Sequence, residues 1–178
     1  MIRINRMALW GLVVSAAAIV QPPLAQASEA VPETTLVRLT TNSGPIELEL
    51  DVRRAPVTTA NFLRYVSEGF YDGTVFHRVL PDRVVQGGGL TAKLEKKPGL
   101  RDPIANEWDN GLQNRRGTVA MARYWGKPES ATAQFFVNVT DNQLLDQPRD
   151  GAAYAVFARV TKGMNVIDSI NETPTGKQ

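Results

Sequence analysis

Between residues 46 and 50 the chain alternates without a break. Ile46, Leu48 and Leu50 are apolar, while Glu47 and Glu49 are charged. Successive side chains of a strand point to opposite faces, so this run predicts a strand with one buried and one wet face. Leu36-Val37-Arg38-Leu39-Thr40 precedes it across Asn42-Ser43-Gly44-Pro45, and the two runs predict an antiparallel surface hairpin. Pro56 then opens a helical stretch in which Val57, Ala60, Leu63 and Val66 recur at three-residue spacing, and Gly69 closes it. Further strands are predicted near 74–80, 84–87, 117–123, 134–140 and 153–160. A second short helix should run from Met164 to Ile170, with Met164, Ile167 and Ile170 on one face. Many strands with one helix near each end predict a mainly β, closed barrel capped at both mouths. The turn-rich segment from Thr91 to Gln113 is long for a loop in one domain, which suggests function or a surface course, with Ile104 and Trp108 as pins.

The first residues follow another logic. Met1–Arg6 carries Arg3 and Arg6 and no acid, Met7–Val20 is apolar, and Ala25-Gln26-Ala27 is a small-x-small pattern. This predicts a signal peptide over residues 1–27, cleaved after Ala27, with a mature domain over 28–178. The bland alternative is a membrane anchor, but the apolar run falls short of the ~20 residues of a spanning helix. Cleavage removes two of the 20 basic residues and none of the 18 acidic ones, so the mature chain is formally neutral. No basic stripe remains to attract nucleic acid. With no cysteine, an exported chain can have no disulfide and must be held by its core. A domain of about 150 residues is large enough for that. The expected product is a monomer, soluble in the periplasm and free of the membrane once processed.

The candidate chemistry lies in four blocks. Phe76-His77-Arg78-Val79-Leu80-Pro81 puts an arginine on an apolar, strand-like run, and Val84-Val85-Gln86-Gly87-Gly88-Gly89 returns a glutamine beside it. Gly117-Thr118-Val119-Ala120-Met121-Ala122 and Ala133-Gln134-Phe135-Phe136-Val137-Asn138-Val139 complete the set. Alternation sends Phe135, Val137 and Val139 into the core and Gln134, Phe136 and Asn138 to the outer face. Phe136 there is either a stray surface residue or a pocket floor, and convergence of Met121 and Val84 on the same face favours the pocket. A partly buried Arg78 is costly unless its donors are used; the bland reading pairs it with Asp82.

In these blocks, and from about Leu36 to Ile170, the chain resembles the cyclophilins, the peptidyl-prolyl cis-trans isomerases, and in particular their periplasmic bacterial branch. The resemblance implies a closed antiparallel eight-stranded barrel capped by two helices. It also implies a last strand that pairs with the first, and residues 173–178 contain no such run. Either the sequence is truncated or the barrel closes differently, leaving an open edge beside residues 36–40. By resemblance Arg78 is catalytic and Phe136 is the floor of the proline site. Gln86, Gln134 and the backbone of Ala122 and Arg123 hold the peptide, and Val84, Met121, Leu144, Leu145, Tyr154 and Arg83 complete the pocket. The substrates implied are proline-containing segments of unfolded or exported proteins.

The chemistry suits those residue types. Rotation about an amide is opposed by a resonance barrier of about 18–20 kcal/mol. In the twisted transition state the prolyl nitrogen regains a lone pair, and a donor aimed at it is satisfied only then. Guanidinium remains charged and offers fixed donors, so no nucleophile, metal or cofactor is required. His77 is the single histidine, so any triad or metal site would have to use it, and alternation places it opposite Arg78. The glycine triplet 87–89 lacks the Gly-Lys-Ser/Thr ending of a phosphate loop and reads as close backbone approach and positive φ. Where the family carries Gly-Phe-Met, this chain has Asp82-Arg83-Val84. Leu144 replaces an aromatic residue, while Arg123 and Tyr154 replace the asparagine and histidine of animal cyclophilins. Those changes keep a second reading open, a proline-peptide-binding, chaperone-like module with little turnover.

Overall fold

The computed structural model describes residues 3–6 and 34–176. The expected leader lies outside the described residues apart from positions 3–6, which form strand β1 (Arg3–Arg6). The hairpin follows as β2 (Thr34–Thr41) and β3 (Gly44–Asp51), in the expected register. Ile46, Leu48 and Leu50 are fully buried. On the wet face Glu47 pairs with Arg38 at 2.7 Å and Lys162 at 3.0 Å, and Glu49 pairs with Arg159 at 2.9 Å. Then come α1 (Pro56–Ser67), β4 (Thr74–Leu80), β5 (Val84–Thr91), β6 (Thr118–Met121), β7 (Phe135–Asn138), β8 (Val156–Lys162) and α2 (Met164–Asn171).

These strands form one antiparallel sheet in the order β1-β2-β3-β8-β6-β7-β5-β4. The mainly β, two-helix architecture is as predicted. Two details differ. Among the described residues no ladder joins β4 to β1, so the sheet is a curled half-barrel rather than one closed by hydrogen bonds. Beside β2, where an open edge was expected, β1 pairs from Arg3↔Thr40 to Arg6↔Val37.

Helix α1 also corrects the sequence reading. Its buried face is Thr58, Thr59, Asn61, Phe62, Tyr65 and Val66, whereas Val57 is 43% exposed. A strict three-residue repeat drifts round a helix of 3.6 residues per turn, so Val57 and Val66 do not share one face. Phe62 is the anchor. Its ring lies 5.2 Å from Tyr71 and Phe157 and 5.6 Å from Phe135. Burying one such ring contributes about 1.5–3 kcal/mol. The long 91–113 loop is pinned by Ile104, bridged to Ala131, and by Glu107, whose carboxylate accepts the Val57 and Thr58 N–H bonds at 3.0 and 2.8 Å. A negative charge on the free N–H groups of a helix start is favourable.

Candidate active site

Residues directly opposite one another on paired strands share a face of the sheet. Arg78 of β4 faces Gln86 of β5, Gln86 faces Phe136 of β7, and Phe136 faces Ala120 of β6, which faces Val156 of β8. One row across five strands therefore assembles arginine, glutamine, aromatic floor and two small apolar neighbours on the outer face. Val84, Ala120, Phe136 and Val156 form a cluster separate from the main core, with Leu145 and Tyr154 packed against it. Above that floor lies a pocket of about 360 Å³, lined among others by Arg78, Arg83, Val84, Gln86, Ala122, Arg123, Leu144, Leu145 and Tyr154. Phe136 is 4% exposed at its base.

Arg78 reaches this face through a bulge. Phe76 is registered with Gly87 and Arg78 with Gln86, so two positions on β4 oppose adjacent positions on β5, and His77 is the extra residue. Phe76 consequently packs on the main core while Arg78 turns outward. Simple alternation would have put them on one side. Bulges re-aim side chains in this way beside active sites. Arg78 does not pair with Asp82; its Nη1 donates to Gln86 Oε1 at 3.2 Å. Gln86 Nε2 in turn donates to Gln134 Oε1 at 2.9 Å. This relay orients both amides and leaves the other Arg78 donors without a partner among the described residues.

The glycine triplet makes room for it. Gly88 has φ +83°, and a Cβ there would meet the Phe135 ring at 2.8 Å; one on Gly89 would collide with the Gln134 side chain. His77 is half-buried, its Nδ1 has no hydrogen-bond partner among the described residues, and burial is the main reason its pKa lies below the ordinary value.

One expectation is corrected. Met121 does not line the pocket: it opposes Phe135, is 2% exposed and belongs to the main core. Its neighbours Ala120 and Ala122 occupy the pocket side, because alternation within β6 permits only one of the two sets. Arg123 is present in the wall, but its guanidinium is not free. It is bound to Asp150 at 2.6 and 2.8 Å and to the Ala152 carbonyl at 2.6 Å, with its side chain only 2% exposed. The hydrogen bond from Arg123 holds the Asp150 carboxyl down at about 2. The same guanidinium stacks 4.8 Å over the Tyr154 ring, which meets Phe136 edge-on at 5.6 Å. Asp150 also accepts the Gly126 N–H at 2.6 Å, so one ion pair ties the 122–126 segment to the 150–154 segment.

Asp150 was not legible in the sequence, since nothing local marks an acid 27 residues away as the partner of Arg123. Nor was the amide network under the rim. There Asn142 donates to Asn138 Oδ1 at 2.8 Å and to the Arg83 carbonyl at 2.9 Å, while Asn114 donates to Asp146 at 2.8 Å. Asn171 of α2 grips the same turn by accepting the Asp82 N–H and donating to the Leu80 carbonyl, both at 3.1 Å. Arg83 is thus held at its backbone, with its exposed side chain on the pocket rim.

Comparison with known proteins agrees with this geometry. Residues 36–178 match the family model described as cyclophilin type peptidyl-prolyl cis-trans isomerase/CLD. The chain is 51% identical over 146 residues to peptidyl-prolyl cis-trans isomerase A of Dickeya dadantii, covering 82% of this chain and 76% of that one. It is 46% identical over 145 residues to peptidyl-prolyl cis-trans isomerase B of Escherichia coli, covering 80% and 87%. Among solved structures it is similar to a Cryptosporidium parvum cyclophilin type isomerase determined in the presence of the dipeptide Ala-Pro. That likeness has a TM-score of 0.67 and 26% identity, covering 80% of this chain and 89% of the other. A half-barrel with this outer-face row, matched by family and relatives over most of its length, belongs to the cyclophilin-type peptidyl-prolyl cis-trans isomerases.

Proposed function

We propose that this peptidyl-prolyl cis-trans isomerase works through Arg78 as its transition-state donor, on proline segments of exported proteins in the periplasm. The observation that carries the reading is the cross-strand row, in which Arg78, steadied by Gln86 at 3.2 Å, borders a pocket floored by Phe136. A proline ring on Phe136 places its nitrogen within reach of the guanidinium. The Gln86–Gln134 pair and the Ala122 backbone hold the residues before proline. Charge-assisted donation to a nitrogen whose lone pair exists only when the amide is twisted lowers the barrier without binding the planar ground state equally well. The leader composition of residues 1–27 supports export, after which the 28–178 chain acts as a monomer without nucleic acid or membrane.

The test is a protease-coupled isomerisation assay on an Ala-Pro peptide. Arg78→Ala should keep its fold and lose at least about tenfold in kcat/KM, equivalent to about 1.4 kcal/mol at the transition state. Phe136→Ala should weaken peptide capture. An unchanged kcat/KM in folded Arg78→Ala would show that the donor lies elsewhere. The N-terminus of the product recovered from the periplasm should begin at Ser28.

A further inference from the structure

We propose that Arg149 joins Arg83 in a two-cation clamp on the rim of the proline pocket, which selects an acidic side chain just after the isomerised proline. The clamp rests on the proposed reading of the site, in which the residues before proline lie along Ala122, Arg123 and Gln134. The charged residues lining the pocket are Arg78, Arg83, Arg123, Arg149 and Asp150, four cations and one acid. That acid is already taken, since Asp150 accepts from Arg123 at 2.6 and 2.8 Å. Arg78 donates to the neutral amide of Gln86, and neither Arg83 nor Arg149 has an ion-pair partner among the described residues. Asp82 and Asp146, close by in sequence, do not line the pocket, and Asp146 accepts from Asn114 at 2.8 Å. Three cations therefore border the pocket with no acid to balance them.

The direction follows from which residues group together. Gln134 belongs to an adjoining depression that shares Arg78, Gln86, Ala122 and Arg123 with the pocket but contains neither Arg83 nor Arg149. Those two stand with Leu80, Asn142, Leu144 and Gln147, on the part of the rim that the adjoining depression does not reach. A chain that enters past Gln134 and seats its proline on Phe136 leaves over them. Both cations sit on held backbone. The Arg83 N–H donates to the Leu80 carbonyl and its carbonyl accepts the Val139 N–H, both at 3.0 Å. Arg149 follows Pro148, donates its N–H to the Gln147 carbonyl at 2.8 Å, and precedes the pinned Asp150. Both side chains are exposed. A single exposed cation on a long side chain contributes little, whereas several charges acting on one group form a network that does. The planar guanidinium fork also matches a carboxylate better than a lysine ammonium would.

The experiment uses the full chain and Ala-Pro peptides acetylated at one end and amidated at the other, so that no terminal charge competes. Aspartate or lysine is placed one or two residues after the proline, or at matching positions upstream of the Ala-Pro pair. Isomerisation is followed by exchange NMR, which keeps the preferences of a coupling protease out of the result. The readout is the ratio of kcat/KM for the aspartate and lysine peptides within each protein, so a general loss of activity cancels. At low salt the wild type should favour downstream aspartate by at least about threefold, the scale of an exposed ion pair. The ratio should approach one upstream, and also at 1 M salt, where the Debye length is about 3 Å. Arg149→Gln should bring the downstream ratio close to one, and Arg149→Lys should retain most of it, which a merely structural role would not predict. A wild-type ratio near one overturns the clamp, as does a ratio that survives Arg149→Gln. An equal preference upstream and downstream would mean general attraction by the pocket's charge and overturns it too. Failure of the Arg78 assignment is read separately, from Arg78→Ala on an uncharged peptide.

Discussion

Arg83 puts a methylene stem and a charge on the pocket rim, and its backbone carbonyl is gripped by Asn142. The stem can still cover a proline ring, since arginine buries its methylenes and keeps its head wet. The charge should favour peptides with an acid near proline over those with a lysine. Because the rim is exposed, the preference should be modest and should vanish as the Debye length falls to about 3 Å at 1 M salt. Arg83→Phe should raise kcat/KM on neutral peptides and abolish the preference. If the wild type treats acidic and basic Ala-Pro peptides alike at low salt, the guanidinium points away from the substrate. Arg123 shows the opposite case, a cation of the same pocket wall that is already neutralised by Asp150 and contributes structure instead of charge.

At the scale of elements, α1 depends on a residue from another part of the chain. Ala55 at its N-cap provides no side-chain acceptor, and Glu107 supplies two. Glu107→Ala should cost about 1 kcal/mol, the usual worth of a lost cap, measured as a lower urea midpoint. Strand β4 carries the pH dependence. The His77 pKa is lowered from 6.5, mainly by burial, so the unfolded chain takes up a proton that the fold refuses. Stability should therefore fall as pH drops below about 6.5 and level off below the folded value. One proton sets an upper limit of about 1.4 kcal/mol per pH unit, reduced in practice by partial exposure. A second acid limb should open below 3.8 and be complete near 2, as Asp150 is protonated and its pair with Arg123 breaks. His77→Gln should flatten the first limb and leave the second; an unaltered profile would mean that His77 does not titrate in this window.

For the molecule as a whole, the position of β1 has a consequence for processing. It stands at one end of the strand order and β4, which carries Arg78, at the other, with no ladder between them among the described residues. Cleavage after Ala27 would remove β1 and leave β2 as an edge with unpaired backbone groups. A chain starting at Ser28 should show faster amide exchange over residues 34–41 than the full chain, with the same kcat/KM on short peptides. Equal protection of 34–41 in both would mean that the β1 pairing contributes nothing to the stability of that edge.

Much of this architecture was legible because it rests on local chemistry. The 46–50 alternation, Pro56 and Gly69 at the ends of α1, and the outward amide–aromatic–amide pattern of 134–138 each follow from which side chains prefer water. The motif blocks also named Arg78, Gln86 and Phe136, which the strand pairing brings onto one row. Tertiary structure decided what depends on partners far along the chain. The bulge at His77 exists only because β4 must pair with β5 in a shifted register, and it alone turns Arg78 outward. Met121 was drawn into the core by its pairing with Phe135, and Arg123 was locked by an acid in a distant loop. Alternation along one strand states which residues share a face, but only the neighbouring strands determine which face is inside, because burial is a property of the packed sheet rather than of the segment.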